Sequence, residues 1–139
     1  MKNLLFALLL VASASIFTVQ AKAQVIVIAN PSVKASSVSK NDLKEVFTGA
    51  STSLGGGSVA PILLKAGTAH EEFLKEYIGK NDNAFRAGWR SLVFSGQASM
   101  PKSLDGDAAV VQFVAHNAGA IGYIGKASAH EGVKVIAVR

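Results

Sequence analysis

Residues 25–29, Val-Ile-Val-Ile-Ala, form an unbroken apolar run that stops at Asn30-Pro31, the pattern of a buried strand ended by a turn. A polar connection with Ser36, Ser37 and Ser39 follows. Leu43, Val46 and Phe47 then recur at i, i+3 and i+4, which predicts a short helix behind Ser39 that runs to about Thr48 and stops at Gly49. Residues 50–58 contain Gly55-Gly56-Gly57 and read as a flexible surface hairpin or loop. Residues 59–64 read as a second strand, with Pro61 at an edge or an early position. Thr68 and Glu71 have capping-box spacing, and the helix behind them carries Phe73, Leu74, Tyr77 and Ile78 to Gly79.

Another helix is predicted over about residues 83–93, with Phe85, Trp89, Leu92 and Val93 on one stripe. Trp89 reads as packing. Residues 97–104 are a polar loop. Asp105 or Asp107 caps a last helix that turns Val110, Val111, Phe113 and Val114 inward, and Asn117-Ala118-Gly119 ends it. Residues 120–124 and 133–138 read as two final strands around a polar turn. The order β-α-β-α-α-α-β-β implies a single layered α/β domain with a mixed sheet.

The first 23 residues fall outside this pattern. Lys2 precedes an uncharged apolar run at residues 4–11, and Ala21-Lys22-Ala23 is a small-x-small site. That is a secretory signal, cleaved after Ala23; the run is short for a membrane span, which takes about 20 apolar residues. The expected organisation is a signal at residues 1–23 and one domain at residues 24–139, released into the periplasm with no membrane anchor. Loss of Lys2 and Lys22 lowers the net charge from +5 to +3, because all 9 acidic residues lie beyond the signal. So mild a charge does not argue for nucleic acid or an anionic membrane. There is no cysteine, so neither a disulfide nor a lipid-bearing cysteine is available.

Catalytic chemistry is thinly represented. His70, His116 and His130 are far apart and lack zinc-site spacing. No serine stands in a Gly-x-Ser-x-Gly elbow, and Glu71-Glu72 suit a first helical turn. The triple glycine is followed by neither a lysine-serine pair nor a helix start, so it does not read as a phosphate loop. The chain is expected not to be an enzyme, with no catalytic residue, metal or cofactor; a hydrolase is the weakest reading. The one suggestive feature is the strand–Lys65-Ala66-Gly67-Thr68–helix passage. Amides at a helix start point outward and bind anions, although Thr68 and Glu71 compete for the same position as plain caps.

A string of signals then carries a resemblance. Asp42-Leu43-Lys44-Glu45-Val46-Phe47-Thr48-Gly49 is followed by Ala66-Gly67-Thr68, by Trp89-Arg90-Ser91-Leu92-Val93-Phe94-Ser95-Gly96, and by Gly119-Ala120-Ile121-Gly122-Tyr123-Ile124. This is similar to small single-domain members of the phosphate-type periplasmic binding protein superfamily, relatives of the substrate-binding component of phosphate ABC transporters. The resemblance implies one lobe of a type II periplasmic binding protein. Under a solute-binding reading of the helix start, Gly67, Thr68, Ala69 and His70 offer backbone amides, Thr68 its hydroxyl and Lys65 its charge. Of the family's Arg-x-Asp-Gly-Ser-Gly-Thr loop only Gly67 and Thr68 are kept; Ile62, Leu64, Lys65 and Ala66 replace the arginine, aspartate, first glycine and serine. Two functions follow as expectations: a solute-binding-like protein for phosphate or another small oxyanion, or an accessory module that binds an envelope protein and no small ligand.

Overall fold

The computed structural model describes residues 24–139; the predicted signal segment lies outside them. Strand β1 (Val25–Ala29) is the centre of a five-stranded sheet. It pairs antiparallel with β8 (Ala120–Gly125) on one side and β9 (Lys134–Val138) on the other. Two short edge strands complete the sheet, β2 (Ser37–Val38) parallel to β9 and β5 (Ala60–Pro61) parallel to β8. The sheet is therefore mixed, as the alternation of strands and helices implied. Strand β2 arises within what the sequence presents as a polar connection.

The predicted strand at residues 59–64 is one extended ribbon shared between two sheets. Ala60 and Ile62 donate to the carbonyls of Gly119 and Ile121 at 2.9 and 2.7 Å. Leu63 and Lys65 donate the other way, to Lys102 and Leu104, at 2.9 and 3.0 Å. This second side forms β6 (Leu63–Leu64) with β7 (Ser103–Leu104), inside the predicted polar loop. Alternate N–H groups of a strand point to opposite sides, and Pro61, which has none to offer, sits on the side that lacks a partner until Leu63. The triple glycine closes a hairpin between β3 (Ser53–Leu54) and β4 (Gly57–Ser58). Gly55 and Gly56 both have positive φ, 59° and 83°, as a two-residue primed turn requires.

Helix α1 (Lys40–Phe47) starts where Ser39 accepts from the Asp42 N–H at 3.1 Å. Helix α3 (Asp82–Phe94) starts where Asn81 accepts from the Ala84 N–H at 2.8 Å. Helix α2 (Thr68–Phe73) runs on through a π-helical turn, Leu74–Ile78, to left-handed Gly79. Helix α4 (Asp107–His116) ends at Asn117. Its last carbonyls are met from outside the helix: the buried Asn30 amide donates to Val114 at 2.8 Å and to Ala115 at 3.1 Å.

The core lies under the sheet and is aromatic at its centre. Phe73 stacks on Tyr123 with centroids 3.8 Å apart, and Phe47 meets both rings edge-on. Trp89 is buried and donates its indole N–H to the Phe47 carbonyl at 2.9 Å, consistent with a packing role. The predicted stripe of α3 is only half buried: Phe85 and Trp89 face in, whereas Val93 is exposed. Close approach of α4 to β8 depends on Gly122, where an added Cβ would lie 2.9 Å from Val110 Cγ1.

Candidate functional site

The ribbon β5–β6 ends at Leu64, and the chain turns through Lys65, Ala66 and Gly67 into α2. Gly67 is the N-cap, with φ 105° and ψ 174°, a backbone that only glycine adopts without strain. It places the helix start one residue before that of a Thr68–Glu71 capping box. Thr68 is the first helical residue and no side chain caps the helix. The capping box read from the sequence does not form.

A similar departure occurs at α4. Its N-cap is Gly106, again with no side-chain cap. Asp107 turns its carboxylate to β8, accepting from the Gly125 N–H at 2.9 Å and the Ser128 hydroxyl at 2.6 Å. Asp105 instead forms an exposed ion pair with Lys65 at 3.2 Å. Neither aspartate acts as the predicted cap.

These two helix starts open onto one cavity of about 360 Å³. Gly67, Thr68 and Ala69 line it at the start of α2, Asp105, Gly106 and Asp107 at the start of α4, and Leu64 and Gly125 from the strands, with Gln24 just ahead of β1. Helices α1 and α3, which do carry side-chain caps, contribute nothing to its wall. Uncapped first-turn N–H groups at the positive end of a helix favour negative charge. The acidic residues in the wall are each engaged: Asp107 as above, Asp105 by Lys65, and Glu72 by the Gln24 backbone N–H at 3.0 Å.

Of the five residues singled out in the sequence, Gly67, Thr68 and Ala69 line the cavity. Lys65 stands beside it, on Asp105. The His70 side chain does not face it: the residue is 1% exposed and its ring lies between Tyr123 and Asp82. The Asp82 carboxylate can only accept, so His70 Nε2–H donates to Asp82 Oδ1 at 2.7 Å. His70 Nδ1 is hydrogen-bonded to the Tyr123 hydroxyl, which also accepts from the Leu64 N–H at 3.1 Å. Arg86 completes the network, with Nε on the Asp82 carboxylate at 2.9 Å and a terminal nitrogen on the Lys65 carbonyl at 2.9 Å.

This partly buried network braces the Leu64–Lys65 turn, whose Leu64 lines the cavity. Burial pushes the Tyr123 phenol well above its ordinary value. Burial also acts to raise the Asp82 carboxyl, but hydrogen bonds from His70 and Arg86 outweigh it and hold that group below its usual range. The α4 start and the Tyr123–His70–Asp82–Arg86 chain are the parts that sequence reading missed. A tyrosine in an otherwise apolar strand was the available signal, since a buried hydroxyl requires partners. Among the described residues no three of His, Cys, Asp or Glu converge as metal ligands, and no helix is long and apolar enough to cross a membrane.

Solved structures supply the decisive likeness. An ABC-type phosphate transport receptor from Vibrio cholerae superposes with a TM-score of 0.56 at 17% identity, covering 83% of this chain and 46% of its own. The chain has the fold of one lobe of a phosphate-binding protein. PstS from Borrelia burgdorferi gives a TM-score of 0.60 at 17% identity, with coverage of 84% and 47%. The chain thus spans less than half the length of these two structures. No family model matches the sequence, and no curated protein matches it.

Proposed function

We propose that this chain is an exported, non-catalytic solute-binding-like protein that takes a small oxyanion, phosphate or a close relative, in the cavity between the α2 and α4 starts. The observation that carries the reading is the meeting of two helix starts, each led by glycine and each without a side-chain cap, on one cavity wall. Backbone N–H groups there bind negative charge without a dedicated cationic residue. Gly67, Thr68 and Ala69 face the ligand, the Thr68 hydroxyl adds a donor, and Lys65 supplies charge if it leaves Asp105. His70 contributes its backbone amide, while its ring holds the turn in place. The likeness to phosphate-binding proteins supports a ligand of this class, and export through the signal at residues 1–23 places the domain in the periplasm. Calorimetric titration of residues 24–139 with phosphate and sulfate tests the reading; absence of heat at millimolar anion overturns it.

One observation favours the second reading, an envelope interaction module without a small ligand. Phe94, at the end of α3, is 91% exposed, with Val93 and Met100 also exposed nearby in the chain. Under that reading a pull-down from envelope extract recovers one stoichiometric partner, and Lys65→Ala leaves the capture unchanged.

A further inference from the structure

The residue that would become the N-terminus after export is already held at the cavity. Gln24 immediately precedes β1 and is held by contacts to residues downstream of the Ala23–Gln24 bond. Its carbonyl accepts from the Lys126 N–H at 2.7 Å, and the next residue, Val25, is paired with Gly125. Its nitrogen is 3.0 Å from Glu72 Oε2, and both residues line the cavity wall. Hydrolysis of the Ala23–Gln24 peptide bond consumes one water, leaves a carboxylate on Ala23 and turns this amide nitrogen into a protonated amine.

We propose that signal cleavage creates a binding site for the new chain terminus, in which the Gln24 α-ammonium forms an ion pair with Glu72 at the cavity. The inference rests on the export reading above. It is independent of which anion, if any, the cavity takes. The precursor offers Glu72 only a neutral amide donor, whereas the processed chain offers a full charge at the same distance. Hydrogen bonds between ionised partners are shorter and stronger than neutral ones. The other charged groups around the site act in the same direction or are spent. From the α4 side, Asp107 and Asp105 add negative potential, the first bonded to Gly125 and Ser128 and the second to Lys65. Glu71, on the neighbouring position of α2, is exposed and does not line the cavity. Processing therefore ties the first strand to α2 and makes the cavity less negative in the exported form than in the precursor.

The test uses the secreted protein. Intact mass and N-terminal sequencing first establish the terminus, and the α-amine is then labelled with an acylating reagent near neutral pH in wild type, Glu72→Gln and Glu71→Gln. An ion pair that raises the amine by half a pKa unit slows labelling about threefold. Wild type and Glu71→Gln are expected to react about threefold slower than Glu72→Gln. Equal rates in all three proteins overturn the proposal while leaving export intact. A terminus blocked by cyclisation, seen as a mass lower by one ammonia, also overturns it. Cleavage at any other bond overturns both the proposal and the processing site on which it rests.

Discussion

At the residue scale, Tyr123 joins the aromatic core to the polar network around Leu64. Its ring is stacked on Phe73, and its hydroxyl serves the Leu64 N–H and His70 at once. Tyr123→Phe keeps the stacking but strands both partners. A buried donor or acceptor left unpaired costs about 1–3 kcal/mol, and urea unfolding is expected to show a loss of that size. Asp82 provides a second prediction, with its sign fixed by the direction of its shift. Its folded carboxyl is held below the ordinary value, so it contributes stability that is present above about pH 4 and lost as pH falls through the folded value. Because its side chain is 44% exposed, solvent screening limits the effect to about 0.5–1 kcal/mol. Asp82→Asn is expected to flatten the acid limb of stability measured between about pH 5 and pH 2.

At the scale of elements, the most informative contact is that of α4 against β8. Gly122 leaves room for Val110, and an added Cβ would sit 2.9 Å from Val110 Cγ1 and 3.5 Å from Val114 Cγ2. Overpacking of this kind costs about 1–3 kcal/mol. Gly122→Ala is expected to lose that much, and a double-mutant cycle with Val110→Ala to recover part of it through a favourable coupling energy. Elements were legible in the sequence where one local signal decides them. The apolar run of β1, the Ser39 cap of α1 and the left-handed stop at Gly79 all depend on residues close in the chain. Pairing was not legible, because β1 finds its neighbours about a hundred residues away in β8 and β9. Nor was the true start of α2. Thr68 and Glu71 have the spacing of a cap, but the positive φ of Gly67 displaces the start, and a residue string does not reveal φ. The same blindness hid the share of α4 in the site, since Asp105 and Asp107 read as caps until their actual partners are seen.

At the scale of the whole molecule, the two halves of the cavity wall belong to elements distant in sequence, and the sheet is what brings them together. Helices α2 and α4 both pack against β8, yet their starts are joined across the cavity by no capping side chain. An anion seated there would connect them and so stabilise the folded state alone. A ligand that binds only the native form adds stability of RT ln(1 + [L]/Kd), about 2.7 kcal/mol at one hundred times Kd. Thermal unfolding of residues 24–139 is therefore expected to shift upward with phosphate at constant ionic strength, where chloride leaves it unmoved. Gly67→Ala should lower the unfolding temperature without anion, because alanine is strained at a φ of 105°, and should reduce the phosphate-dependent shift as well. Phe94→Ser is the contrasting case. That side chain is 91% exposed on the far end of α3, so its replacement is expected to change stability by less than about 0.5 kcal/mol and to leave the phosphate shift intact. A shift abolished by Phe94→Ser and unaffected by Gly67→Ala would remove the cavity from consideration and move the binding surface to α3.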